Sequence, residues 1–205
     1  SFSEFLKAEG AANYDEYLGG LDQIETVPDF FHVRLVEHLR RYFACGGMPE
    51  ALGRWAETGD IVQVDKVLSE LDFAKHGGRA QFAKLSQIWN SIPAQLAREN
   101  KKFVWGAVRE GARAREYEDA LEWLADAGLI TAVRLNAAGG VPLSAHDDLK
   151  AFKVYCLDVG LLRRMARLDA SAFAISDALF SEFKGSFAEN YVLQALLSQL
   201  DAAPR

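Results

Sequence analysis

Residues 86–135 read SQIWNSIPAQLARENKKFVWGAVREGARAREYEDALEWLADAGLITAVRL. Apolar side chains recur at helical spacing through this stretch and through the residues just before it, which predicts three successive helices. We place these helices at residues 80–96, 103–110 and 113–127, and Gly128 ends the third. The third helix is therefore followed directly by the segment that begins at residue 129.

Two strands separated by a glycine-bearing loop follow the third helix. Residues 129–135 and 151–157 are apolar and partly β-branched, and the loop between them contains Gly139 and Gly140. This pattern predicts two neighbouring strands joined by a wing. Three helices followed by two paired strands is the element order of a winged helix, so we assign residues 76–170 to a winged-helix domain. The predicted fold class is mainly α with a small β wing.

The residues before this domain predict a helical subdomain over residues 1–75. Ser1 and Glu4 have the spacing of a capping box, so we expect a helix to begin at the start of the chain. Pro49 suits the first turn of a helix, because its missing N–H would be unpaired there. The further helices are predicted at residues 14–21, 29–44, 49–58 and 60–75.

Two interpretations remain open for the glycine pair Gly46-Gly47, which lies between two of these helices. Glycines allow a backbone to come close to a ligand, which would suit a loop near a nucleotide. A glycine stop followed by Pro49 is also the usual pattern of a turn between helices. On spacing alone we favour the turn.

A further helix is predicted after the second strand. Asp158 ends that strand, and we interpret its side chain as a cap rather than a metal ligand. The helix continues through Met165. We expect its outer face to carry Arg163, Arg164 and Arg167.

The last predicted helix, residues 183–200, is apolar around most of its circumference. Its narrow polar strip consists of Asn190, Gln194 and Ser198, so the helix requires burial on several sides. We expect cover from the N-terminal part, from a second copy in a homo-oligomer, or from the rest of an incomplete domain that starts with residues 171–205. This helix and the capped first residue predict that the chain is cut from a longer protein at both ends.

Composition indicates a globular chain with reduced cysteines. The 205 residues are 50% hydrophobic, and Cys45 and Cys156 lack the spacing of a metal site or a disulfide framework. No apolar run reaches the ~18 residues that span a bilayer, and the N-terminus lacks the order of a signal peptide. We therefore expect a cytoplasmic protein without a membrane partner. A net charge of -6 argues against a chain devoted to coating nucleic acid.

Complete catalytic motifs are absent from the sequence. There is no G-x-x-x-x-G-K-[ST] loop for phosphates, no G-x-S-x-G elbow and no H-E-x-x-H zinc pair. We therefore predict no catalytic residue, no metal site and no cofactor within this chain.

A basic cluster near the start of the third helix of the winged-helix domain, residues 113–127, is a candidate for DNA contact. It consists of Lys101, Lys102, Arg109, Arg113 and Arg115, and winged helices often place this end of the helix at base edges. The body of the same helix is acidic, so its carboxylates would face DNA phosphates. DNA binding is thus an alternative that we do not favour. The acidic residues are Glu116, Glu118, Asp119, Glu122 and Asp126.

Several stretches together resemble one family, the C-terminal portion of predicted prokaryotic AAA+ ATPases. In that family a P-loop domain is followed by lid helices, a winged helix and a restriction-endonuclease-like domain of unknown function. The resemblance covers nearly the whole chain and its order. The stretches are SFSEFL (1–6), YFACGGMPE (42–50), DFAKH (72–76), LARENKKF (96–103), FKVYCLDVGLL (152–162) and FKGSFAENYV (183–192).

The resemblance implies that residues 1–75 are similar to the ATPase lid, with Gly46 and Gly47 in the loop that approaches nucleotide. It implies ATP and magnesium as ligands of the parent protein, and it makes Glu189 similar to the helix glutamate of the nuclease-like fold. The P-loop and the remaining nuclease residues are not in this sequence, so we expect no hydrolysis from this chain alone.

The implied function is that of a non-catalytic segment of an ATPase, which relays nucleotide state to a partner or an appended domain. Its expected partners are its own P-loop and C-terminal domains. The alternatives are a winged-helix DNA-binding regulator and a fragment of a restriction-endonuclease-like enzyme.

Overall fold

A computed structural model describes residues 1–21, 26–70, 79–98, 102–136, 141, 146–171 and 177–202. This part of the chain is mainly helical and forms a small antiparallel sheet, as the sequence predicts. The elements are α1 (Phe2–Ala8), α2 (Ala12–Gly19), α3 (Asp29–Cys45), α4 (Pro49–Thr58), α5 (Ile61–Ser69), α6 (Arg79–Leu96), α7 (Trp105–Val108), α8 (Ala114–Asp126), β1 (Ile130–Asn136), β2 (Asp147–Cys156), α9 (Val159–Met165) and α10 (Asp177–Ala202).

Local sequence signals set several of these bounds. The capping box at Ser1 and Glu4 is formed, and α3 ends at the glycine pair. Pro49 occupies the first turn of α4, which spans the predicted residues. The helix predicted to reach residue 75 ends earlier, at Ser69, and residues 71–78 lie outside the described residues.

The chain divides into two compact units, and the second is inserted into the first. The first unit consists of Ser1–Leu71 and Asp158–Arg205, and the second of Asp72–Leu157. The division differs from the domain bounds expected from the sequence, which place α9 in the winged-helix domain of residues 76–170. The structure packs α9 against α3 and α5 of the first unit, where five of its seven residues are buried.

The core of the first unit is rich in aromatic side chains. Phe5 and Tyr42 meet edge to face with ring centroids 5.4 Å apart, and Phe43 stacks on Phe187 of α10 at 6.0 Å. Tyr191, one turn further along α10, contacts Phe43 at 5.6 Å. Such pairs add to the stabilisation from apolar burial, so α10 is anchored to α3 by its aromatic side.

The second unit packs α6 against α8 and β2, and β1 pairs with β2 in antiparallel register. Phe103, just before α7, stacks on Phe152 with ring centroids 5.3 Å apart. Its N–H donates to the Phe152 carbonyl at 2.7 Å. The Tyr117 hydroxyl of α8 donates to Gln87 Oε1 of α6 at 2.5 Å. These contacts hold the helices and the sheet of this unit together.

The apolar helix at the end of the chain is oriented differently from the sequence expectation. Asn190, predicted on a polar strip, is fully buried, whereas Val192 and Leu200 are 52% and 71% exposed. The reason is that Phe187, Asn190 and Tyr191 lie at helical spacing on the side that carries the aromatic anchors. Packing of these rings therefore sets the rotation of α10, and the rest of its apolar surface is left outside.

Candidate functional site

The glycine pair Gly46-Gly47 lies against the side chain of Asp158. The Gly47 N–H donates to Asp158 Oδ2 at 2.6 Å, and Asp158 Oδ1 accepts from the Leu161 N–H at 3.1 Å. Asp158 is thus the N-cap of α9, as predicted. Gly46 has φ +80, and a Cβ there would lie 2.8 Å from Asp158 Cγ. The glycine pair forms the turn between α3 and α4, and its glycines make room for this carboxylate.

The carboxylate of Asp158 is buried, with 3% of the residue exposed. Burial raises its pKa, since removal from water disfavours the charged form. The backbone N–H groups of Gly47, Leu161 and Gly160 act in the opposite direction by donating to it. The carboxyl group is therefore held in place by amides from two distant parts of the chain.

Arg163 of α9 corrects the sequence prediction, which placed it on an outer face with Arg164 and Arg167. Arg163 is fully buried. Its Nε donates to the Ala44 carbonyl at 2.9 Å, its Nη1 donates to the Leu168 carbonyl at 2.7 Å, and its Nη2 pairs with Asp65. The carbonyls at the end of α3 have no partner within that helix, so a buried guanidinium satisfies one of them.

A second polar network surrounds Glu9, at the end of α1. Its carboxylate pairs with Arg41 Nε at 2.9 Å, accepts from the Trp55 indole N–H at 3.2 Å and pairs with His38 Nδ1. The side chains of Glu9 and His38 are only 9% and 12% exposed. The network therefore fixes the positions of Arg41 and Trp55 relative to α1.

Beside this network is a pocket of about 500 Å³. The α3 residue Cys45 contributes a thiol, and its burial, with a smaller effect of the nearby Glu9 charge, raises its pKa to about 12. The thiol is therefore protonated at neutral pH and acts as an apolar group rather than a nucleophile. The lining residues are Glu37, Arg40, Arg41, Ala44, Cys45, Trp55, Gly59, Ile61 and Ser171.

The sequence does not predict this pocket. Its only local signal is the polar side of α3, where Arg40 and Arg41 follow Glu37. The other lining residues, such as Trp55 and Ile61, belong to later parts of the chain. The spacing of apolar residues does not indicate that these parts lie against α3.

The basic cluster of the second unit is exposed where the structure describes it. Lys102, Arg109, Arg113 and Arg115 all have exposed side chains, and Lys101 lies outside the described residues. Arg113 is the N-cap residue of α8. The exposed acidic residues of α8 lie on the same face as Arg115, because they follow it at helical spacing: Glu118, Asp119, Glu122 and Asp126.

The nuclease-like glutamate expected from the resemblance, Glu189, has an exposed side chain on α10. Within the described ranges, no three histidine, cysteine, aspartate or glutamate side chains lie together in a way that could hold a metal ion. Among the described helices, none has the length and apolar character that crossing a membrane requires.

The fold and these sites define a mainly helical protein whose second unit is inserted between α5 and α9. A family model described as "Domain of unknown function (DUF8612)" matches residues 36–172. The match covers more than half of the 205 residues, and the chain belongs to this family. It includes the glycine pair, Asp158, Arg163 and the whole second unit. No curated protein and no solved structure matches the chain.

Proposed function

We propose that this chain is a non-catalytic segment of an AAA+ ATPase that relays nucleotide state to a partner or an appended domain. The observation that carries the proposal is the hydrogen bond from the Gly47 N–H to Asp158, which joins residues 111 positions apart. By resemblance, Gly46 and Gly47 belong to the loop that approaches nucleotide. Asp158 is the first residue of the first unit after the inserted second unit.

A relay through this contact has a direct physical basis. If nucleotide shifts the glycine loop, the Gly47 amide moves away from Asp158, whose carboxylate is buried. Leaving a buried acceptor without one of its donors costs about 1–3 kcal/mol. That cost lies in the range of typical coupling free energies between sites. Asp158 also caps α9, so the same shift alters the start of the helix that follows the inserted unit.

The second unit suits a segment that relays nucleotide state to a partner or an appended domain. Its order of α6, α7, α8, β1 and β2 is that of a winged helix, which supports the resemblance to the lid and winged-helix region of these ATPases. Its α8 surface is acidic over most of its length. Such a face suits a protein partner or water better than the phosphates of DNA.

The proposal is tested with ATP and an Asp158→Asn variant. We expect no ATP binding by isothermal titration of this chain, and ATP hydrolysis by the protein extended upstream through its P-loop region. In the extended protein, nucleotide should change hydrogen exchange at the Leu161 amide, and Asp158→Asn should abolish that response, because Asn turns one acceptor into a donor.

Asp60→Asn is the matched control, since Asp60 also caps a helix by accepting from the Val62 N–H, at 2.8 Å, on the surface. It should leave the nucleotide response intact. Absence of hydrolysis by the extended protein would reject the ATPase assignment. Equal responses in the two variants would reject the relay through Asp158.

DNA binding by the second unit is the second candidate function. In the described part of the chain, the exposed side chains of Arg109, Arg113 and Arg115 take part in no ion pair. If these arginines contact phosphates, replacing Arg113 and Arg115 with glutamine should weaken binding in gel shifts. The slope of log K against log salt should also fall by roughly 0.9 for each phosphate that the variant no longer neutralises.

A matched control for the DNA test replaces two exposed arginines of the first unit, Arg54 and Arg164, with glutamine. The control should bind DNA as the unaltered chain does. A chain that binds no DNA at low salt, or a double variant that matches its control, would contradict this function.

A further inference from the structure

We propose that the outer edge of strand β1 pairs in antiparallel orientation with the same edge of a second copy of this chain. In the described part of the chain, β2 pairs with one edge of β1 and no strand pairs with the other. Four of the seven residues of β1 are exposed, from Ala132 to Leu135. The edge belongs to the second unit, so this proposal does not depend on the contact between Gly47 and Asp158.

Two hydrogen bonds show which backbone groups of β1 point away from β2. The Leu157 N–H donates to the Leu129 carbonyl at 2.9 Å, directly before the first residue pair of the ladder. Because hydrogen-bonded pairs alternate along antiparallel strands, the N–H and C=O groups of Ala132 and Arg134 point outward. The Phe152 carbonyl, opposite Arg134, agrees with this alternation, because it accepts an N–H at 2.7 Å on the far side of β2.

The outward groups of this edge are open to a further strand. None of the described residues forms a hydrogen bond with the outward N–H and C=O groups of Ala132 and Arg134. Proteins protect such edges with proline, with charged side chains or with a covering segment. β1 has no proline and a single charged residue, and its Val133 and Leu135 are 40% and 52% exposed. An edge with so little protection is a template for another strand.

A second copy fits this edge because the strand is complementary to itself. In a twofold pair centred on Val133, the two valines are opposite each other and Thr131 is opposite Leu135 of the second copy. On the other face, Ala132 is opposite Arg134 of the second copy, so the two arginines do not meet. Apolar cross-strand pairs stabilise a sheet, whereas like charges directly opposite destabilise it. Each pair of Ala132 with Arg134 also exchanges two backbone hydrogen bonds.

Sedimentation equilibrium of this chain over a range of concentrations tests the pairing. We expect the mean mass to rise from that of one chain toward that of two. Val133→Lys places two ammonium groups opposite each other at the centre of the pair, so the dissociation constant should rise by about fivefold or more. Leu196→Lys is the matched control, because Leu196 is also exposed but lies on α10. The control should leave the dissociation constant unchanged.

Ala132→Pro tests whether the copies pair through their backbones. Proline lacks an N–H, so the twofold pair would lose one hydrogen bond from each copy. The ladder with β2 keeps its hydrogen bonds, because the Ala132 N–H does not point toward β2. The dissociation constant should rise by roughly 10-fold to 100-fold, with an unchanged circular dichroism spectrum. If the spectrum changes, Val133→Lys and Ala132→Glu decide the question.

Ala132→Glu tests the register of the pair. It places a carboxylate opposite Arg134 of the second copy, so the dimer should tighten by about twofold to fivefold. Adding Arg134→Gln should remove this gain. A dimer weakened by Ala132→Glu would overturn the register, because a pair centred on residue 132 brings the two glutamates together.

Three results would overturn the proposal as a whole. The first is a chain that remains monomeric at every concentration, which would leave the edge to a strand of another protein. The second is a dimer that Leu196→Lys dissociates, since that dimer would form through α10. The third is a dimer whose dissociation constant is the same with Val133→Lys and with Ala132→Pro as without them.

Discussion

Replacing Arg163 with methionine should lower the free energy of unfolding by about 3–5 kcal/mol, the range for breaking a buried ion pair by removing one partner. Arg163 is fully buried and donates to the carbonyls of Ala44 and Leu168 while it pairs with Asp65. Methionine fills much of the volume but leaves these acceptors without their donor. Urea denaturation followed by circular dichroism measures the change.

Two further variants separate the role of Arg163 from a general effect of charge. Arg164→Met removes the exposed neighbouring charge and should change stability by less than about 0.5 kcal/mol. Arg163→Lys keeps the charge but lacks the planar fork, so it should also destabilise the protein. If Arg163→Met and Arg164→Met unfold at the same urea concentration, the hydrogen bonds and ion pair of Arg163 carry no net stabilisation.

The sequence predicts the elements whose signals are local. The capping box at Ser1, the glycine stop after α3 and Pro49 at the start of α4 each act within a few residues. The three helices and two strands of the second unit likewise follow from apolar spacing. The capping role of Asp158 is also predicted from local sequence, because an N-cap requires only the helix that directly follows it.

Tertiary contacts between distant residues are what the sequence leaves open. Helical spacing places Arg163 on a polar face. The structure buries it because α3, α5 and the segment after α9 offer acceptors for all three nitrogens of its guanidinium. The same limit applies to α10, where aromatic packing rather than average hydrophobicity selects the buried side. The spacing of residues along the chain does not indicate which distant carbonyl or aromatic ring will contact a given side chain.

Only part of the candidate site can be predicted from the sequence, because its residues lie far apart in the chain. The glycine pair is visible in the sequence, yet its partner Asp158 lies 111 residues away. The pocket combines α3 with Trp55 of α4 and Ile61 of α5, and none of these three helices alone has the character of a binding site. Arg113 and Arg115, which the sequence predicts as candidates for DNA contact, have exposed side chains, as charged residues at a helix start usually do.

Gly160→Ala should destabilise the protein by about 3 kcal/mol, at the upper end of the usual cost of overpacking. Gly160 lies in the first turn of α9, where alanine would ordinarily improve helix stability. A Cβ at this position, however, would lie 2.5 Å from the Cys45 carbonyl oxygen and 2.6 Å from the Gly46 nitrogen. These are backbone atoms, so α9 must move away from the end of α3.

Gly53→Ala is the matched control for this prediction. Gly53 also lies within a helix, α4, and a Cβ there would meet nothing within 4 Å. It should stabilise the protein by about 0.4–1 kcal/mol through the unfolded chain. The two substitutions therefore have opposite expected signs in the same urea titration. If Gly160→Ala were neutral or stabilising, α9 would not be held tightly against the glycine pair, and the proposed relay through Asp158 would lack the close packing on which it depends.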